Sequence, residues 1–173
     1  MIRGAALALA ALCAACAVTP VPQASLPQLS AVPASFEMSG RLALRQGDRS
    51  EIARLRWEHT PASDRWVFAS PLGNEVARIE SGPRGATLKR AGGEDEEAPT
   101  FAALTERLLG ISLEPAALAR WLHGAVPADS GGWTVAIEET QRAGEIQMAR
   151  RLSATRGDVV VRLVVDEYRS LEP

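Results

Sequence analysis

From Phe36 onward, apolar and polar residues alternate with the period of a β-strand. In "FEMSGRLAL" Phe36, Met38, Leu42 and Leu44 fall on one face with Gly40 between them, and Glu37, Ser39 and Arg41 fall on the other. In "ARLRWEH" Ala53, Leu55 and Trp57 alternate with Arg54, Arg56 and Glu58. "RWVFAS", "EVARIE" and "GATLKR" read as shorter strands, separated by "SPLGN" and "SGPRG", which are turn formers. Successive strands with tight connections predict an antiparallel meander. The acidic run "EDEE", Glu94 to Glu97, reads as a solvated turn leading to the next element.

The period then changes. "APTFAALTERLLG" places Phe101, Leu104, Leu108 and Leu109 at helical spacing, with Thr100 as N-cap and Gly110 as the stop. "EPAALARWLHG" repeats the form, with Pro115 in the first turn, Leu118, Trp121 and Leu122 on one stripe, and Gly124 at the end. Period two returns in "WTVAIE", "EIQMARRL" and "DVVVRLVVDEY". Two short amphipathic helices therefore interrupt a sheet of roughly eight or more strands. Their apolar stripes must lie on that sheet, because isolated helices of this length are marginal in water.

Before Ser35 the chain cannot build a core. Residues 17 to 34 hold four prolines and no charge, so they read as a semi-rigid tether. Arg3, the apolar stretch Ala5 to Leu12 and the small residues Ala14 and Ala15 read as a secretory signal. Cys13 and Cys16, the chain's two cysteines, lie inside it, away from any βαβ unit that a redox pair would need and without the further ligands of a zinc site. What remains is similar to the lipobox of bacterial lipoprotein signals, in which Cys16 would become the acylated first residue. Cys13 stands where such signals usually carry Leu, and an ordinary cleaved signal is the competing reading. The likeness implies an outer-membrane address, since Ala17 replaces the Asp that retains such proteins at the inner membrane. The chain thus divides into a signal over 1–15, an acylated Cys and tether over 16–34, and a folded domain over 35–173. Each buried methylene of an acyl chain contributes about 0.8 kcal/mol, so two or three chains anchor durably.

With 173 residues and 46% apolar content, one domain with a real core is expected. Nineteen Lys and Arg against 21 Asp and Glu leave a formal charge of −2, which argues against a nucleic-acid partner. No catalytic set is visible. His59 and His123 each end an element beside a tryptophan and read as structural or surface residues, and Ser70 in "ASPLG" lacks the Gly-x-Ser-x-Gly elbow of a hydrolase. No glycine-rich phosphate loop appears, and no cofactor, metal or nucleotide is expected. Two other features stand out. Leu72, between Pro71 and Gly73, either tucks inward or forms a small hydrophobic finger able to touch lipid or an apolar partner. The large apolar groups Trp57, Trp66, Phe68, Trp121, Trp133, Ile137 and Val161 either pack as a core or line a cavity under thinly spread helices.

The lipobox, the proline tether, "FEMSGRLAL", "SPLG", "LLG", "LARWLHGAVP" and the late "RLVVDEY" together resemble the LolB family, in order and over Phe36 to Tyr168. One departure is a shortened region between "IEETQRAGE" and "ARRL", where such proteins carry a longer hairpin. The resemblance implies an α+β domain: an incompletely closed antiparallel β-barrel covered by short helices, with an apolar cavity inside. It implies a lipid-anchored protein of the outer membrane, facing the periplasm. There it would accept triacylated lipoproteins from a soluble, LolA-like periplasmic carrier and insert them into the inner leaflet. Leu72 matches the leucine of the family's membrane-engaging loop. Lacking a nucleotide site, transfer would run on differential affinity alone. The alternative is a structural or assembly lipoprotein that binds a protein partner. A lipase or esterase would require Ser70 within ~3 Å of an imidazole.

Overall fold

The computed structural model describes residues 29, 31–127 and 130–171. The expected signal over 1–15 and Cys16 lie outside the described residues. The chain runs β1 (Phe36–Gln46), β2 (Arg49–His59), β3 (Asp64–Ala69), β4 (Glu75–Gly82), β5 (Gly85–Arg90), β6 (Glu96–Ala98), α1 (Phe101–Leu109), α2 (Pro115–Leu122), β7 (Thr134–Ala143), β8 (Ile146–Arg156) and β9 (Val159–Ser170). All nine strands form one antiparallel sheet in the order β6-β5-β4-β3-β2-β1-β9-β8-β7. Because β6 and β7 end the order without pairing to each other, the sheet is an open half-barrel, the form that the LolB resemblance implies.

The pairing of β1 with β9 joins the first and last strands at the middle of the sheet. Its register slips between Ser39 and Gly40, where β9 carries one extra residue, Asp166. A Cβ on Gly40 would stand 2.1 Å from the Val164 carbonyl oxygen, so only glycine lets the two backbones meet there. The inner faces of β1, β2, β8 and β9 then carry a continuous core, including Phe36, Met38, Leu55, Trp57, Leu152, Val161 and Val165, each almost fully buried.

Both helices lie against the concave face, α1 near β5 and β6 and α2 near β8. The Thr100 Oγ accepts the Ala103 N–H at 3.0 Å to start α1, and Gly110 stops it in the left-handed region at φ 67°. Between the helices, the buried Thr105 hydroxyl donates to the Ala102 carbonyl at 3.0 Å and accepts the Leu113 N–H at 3.0 Å. The second of these bonds ties the connecting loop to α1.

Two stretches differ from their sequence readings. Glu96–Ala98 of the acidic run is a short edge strand on β5, not a turn. Arg90 and Arg107 draw the Glu96 carboxylate inward, and Arg107 also donates to the Glu97 carbonyl at 2.6 Å. Strands β7 and β8 run past "WTVAIE" and join through Gly144 and Glu145, so the region flagged as shortened is a plain hairpin.

Gly40→Ala is expected to cost several kcal/mol, on the order of 2–4, because the clashing atom is backbone that cannot rotate away. Chemical denaturation of both chains measures this; unchanged stability would mean β1 and β9 do not approach this closely.

Candidate functional site

Beneath α1 the inner face of the sheet is not filled. A cavity of about 440 Å³ lies between Leu42, Leu44 and Ala53 of β1 and β2, Trp66 and Phe68 of β3, Ala77 and Ile79 of β4, and Phe101 and Leu108 of α1. Leu88 and Leu113 complete its wall, and charge enters only at the rim, from Glu51 and Arg90. The hollow has the size and lining of a ligand pocket. Strand alternation makes the wall: residues spaced by two on β1 to β5 all point to this side. Leu104, Leu118 and Leu122 fill the neighbouring interior, so the gap is local to the α1 end.

The large residues singled out in the sequence fall into three groups. Trp66 and Phe68 are in the cavity wall, with Phe101 of α1 packed on Trp66 at 4.9 Å between centroids. Trp57 lies directly across from Trp66 on β2 but is wholly buried behind it, 5.0 Å away. Its indole N–H donates to Asp64 Oδ1 at 2.8 Å, and Val161 sits in the packed core. Trp121 and Trp133 face each other at 5.8 Å and border a separate groove of about 270 Å³ near α2, where Arg156 covers the Trp133 ring. Ile137 is half-buried on β7, against the core and outside both hollows. Val76, Ile79, Leu88 and Leu113 line the cavity without having been singled out. Strand period marks Ile79 and Leu88 as inward-facing, whereas Val76 sits at the β3–β4 register shift and Leu113 in the loop between the helices, and no sequence signal separates a lining residue from a packed one.

Leu72 does not tuck inward. The Gly73 N–H donates to the Ser70 carbonyl and the Ser70 N–H to the Asn74 carbonyl, both at 2.9 Å, closing a tight turn with Gly73 at φ 90°. The turn holds Leu72 out with 89% of its surface exposed. Val76, four residues on and 44% exposed, is part of the cavity rim. The turn that carries Leu72 thus leads into the cavity rim at Val76 and borders the outer groove at Gly73.

The histidines serve the scaffold. His59 Nδ1 meets Asp64 Oδ1 at 2.7 Å, the same oxygen that accepts from Trp57. His123 is buried at the end of α2, its Nδ1 donating to the Ala119 carbonyl at 2.8 Å and its Nε2 accepting the Tyr168 hydroxyl at 2.9 Å. This ties α2 to β9, with Phe36 packed against His59, His123 and Tyr168. The Ser70 hydroxyl is buried without a hydrogen-bond partner among the described residues, so neither imidazole reaches it.

An open half-barrel, partly roofed by α1 over an apolar hollow and carrying a protruding leucine on its β3–β4 turn, defines the class of protein. The chain belongs to the LolB family: the family model described as "Outer membrane lipoprotein LolB" matches residues 34–168. It is 32% identical to the outer-membrane lipoprotein LolB of Azoarcus sp. (strain BH72), over 94% of this chain and 92% of that one. It is 31% identical to the outer-membrane lipoprotein LolB of Thiobacillus denitrificans, over 88% and 89%. Among solved structures, it is similar to a LolA superfamily protein from Nitrosomonas europaea, with a TM-score of 0.44 at 7% identity over 86% of this chain and 91% of that one.

Burial holds the His123 pKa below its ordinary value, against the opposing pull of the Ala119 carbonyl and with a further lowering from His59. Unfolding frees the ring to take a proton below about pH 6.5, so the unfolded chain binds more protons there. The contribution is fully present above that value and declines as pH falls towards the lower folded one. Denaturation at about pH 7.5 and about pH 5.5 should show a loss of stability that is smaller in His123→Gln. Equal losses in the two chains would contradict a neutral, buried His123.

Proposed function

We propose that this protein is an outer-membrane receptor for lipoproteins, anchored through an acylated Cys16. It takes acylated cargo from a soluble, LolA-like periplasmic carrier, shelters the acyl chains in the cavity under α1 and releases them into the bilayer at the Leu72 finger. The observation that carries this reading is the 440 Å³ apolar hollow, with an exposed leucine on the turn that leads into its rim at Val76. Acyl chains in water cost about 0.8 kcal/mol per methylene, so a receptor must offer continuous apolar cover from carrier to membrane. Trp66, Phe68 and the aliphatic residues of β1 to β5 supply that cover. The roof is a single nine-residue helix, whose contact through Phe101 can open to admit more of the chain.

The transfer needs no phosphate chemistry in this reading. Cargo moves from carrier to cavity to bilayer because each site holds acyl chains more favourably than the last. An exposed leucine suits the final step: it costs the fold nothing to leave bare and gains by entering lipid.

Leu72→Glu is expected to change stability by less than about 0.5 kcal/mol, since the side chain packs on nothing. The variant should still take acylated lipoprotein from the carrier yet deliver it to vesicles at least tenfold more slowly. Delivery at the native rate would remove the finger from the mechanism. Normal finger-dependent contact without any acyl uptake would instead favour a role in binding a protein partner.

A further inference from the structure

The outer face of the sheet holds a feature that acyl-chain shelter does not require. Arg41 of β1 and Arg54 of β2 are direct cross-strand partners, both exposed and on the side away from the cavity. Like charges so placed repel and destabilise a sheet. In the next row of the same face Arg162, Ala43 and Ile52 lie side by side across β9, β1 and β2, and Arg45 follows two residues along β1. Two carboxylates beside Arg41 and Arg54 are already engaged: Asp166 with Arg41 at 3.2 Å and Glu75 with Arg78 at 2.8 Å. Among the described residues, Arg45, Arg54 and Arg162 have no carboxylate within ion-pair distance. A chain with a formal charge of −2 thus concentrates uncompensated positive charge on one patch.

Two apolar side chains project at the edge of that patch. β3 stops at Ala69, opposite Arg54, so Ile52 has no strand beside it on that flank and is 69% exposed. Leu72 caps the turn that follows β3. A groove of about 590 Å³ on this face runs from Arg41 and Arg54 to Gly73, the residue next to Leu72. Cations behind bare aliphatic tips are the composition of a surface that lies on charged lipid. Arginine is common at protein interfaces too, but there it accompanies aromatic residues and methionine, and these rows of the face carry neither.

We propose that the outer face around Arg41, Arg54, Arg45 and Arg162, with Ile52, docks on the anionic phospholipid headgroups of a bilayer. Docking brings the turn that carries Leu72, at the edge of this face, to the membrane. It rests on the receptor reading for its purpose, and the charge asymmetry is independent of it. Attraction of this one face to charged headgroups selects one orientation of the domain at the membrane.

The test uses the full chain with Cys13→Ala, reconstituted by its anchor into vesicles and carrying a polarity-sensitive dye on Ser50→Cys, an exposed position beside Ile52. Vesicles of phosphatidylethanolamine and phosphatidylcholine are compared with vesicles in which one third of the lipid is phosphatidylglycerol. The dye should shift to shorter wavelength only on the anionic vesicles, and the shift should vanish as salt rises from about 50 mM to about 500 mM. Arg41→Gln/Arg54→Gln/Arg162→Gln should abolish the shift, whereas the corresponding triple lysine variant should keep most of it. Inorganic phosphate added to neutral vesicles should have no effect. Equal emission on both vesicle types, or a shift unchanged in the glutamine variant, would overturn the proposal. A shift on neutral vesicles produced only by added carrier protein would reassign the face to a protein partner. Leu72→Glu, scored by cargo delivery to neutral vesicles, tests the finger separately, so the two readings can fail independently.

Discussion

The concave face of this sheet presents more apolar surface than helices of nine and eight residues can cover. Nine strands curve without closing, and every second residue on each points inward. At the α2 side the interior fills with Leu118, Trp121, Leu122 and the core of β8 and β9. At the α1 side it does not, and the shortfall is the cavity. A folded protein normally collapses on such a gap, because unfilled apolar space forfeits packing. Here the walls are held apart by main-chain pairing on one side and by the capped, loop-tied α1 on the other.

The same alternation separates two tasks on one set of strands. On β1 and β2, the inward residues Leu42, Leu44 and Ala53 line the hollow, while Arg41, Arg54 and Ile52 face outward. A single-residue slip in register would exchange the two faces, so strand register fixes the chemistry of both. The β1–β9 register is set at its bulge, which only a glycine at position 40 permits. The Leu72 turn sits where the two faces meet, with Val76 on the cavity side and Gly73 on the outer groove. Shelter for a lipid tail and contact with a headgroup thus lie within a few residues of each other.

Much of this architecture was legible in the chain because hydrophobic period is a local property. Eight of the nine strands and both helices follow from it. The missed strand, β6, is three residues long and acidic, and it exists because Arg90 and Arg107 lie beside Glu96 in the fold. The turn around Leu72 was legible from Pro71 and Gly73, but its outward direction was not, since a leucine at a turn satisfies either arrangement. The cavity wall was the least legible. Trp57 and Trp66 share one face and are paired across the strands, yet one is packed core and the other faces the hollow. What separates them is the placement of α1, which packs Phe101 on Trp66 and leaves the hollow beside it, a tertiary fact that period alone does not encode. The likeness to the LolB family supplied the open barrel as a whole, where residue patterns supplied only its pieces.

The most direct measurement of the central idea is contact between the hollow and an acyl chain. A photoreactive phenylalanine analogue at Phe68, in the cavity wall, is compared with the same analogue at Val67, one residue along and on the opposite face. With cargo lipoprotein carrying radiolabelled acyl chains, irradiation should join label to the chain from position 68 and not from position 67. Labelling that is absent at 68, or equal at the two positions, would contradict a cavity that holds the lipid.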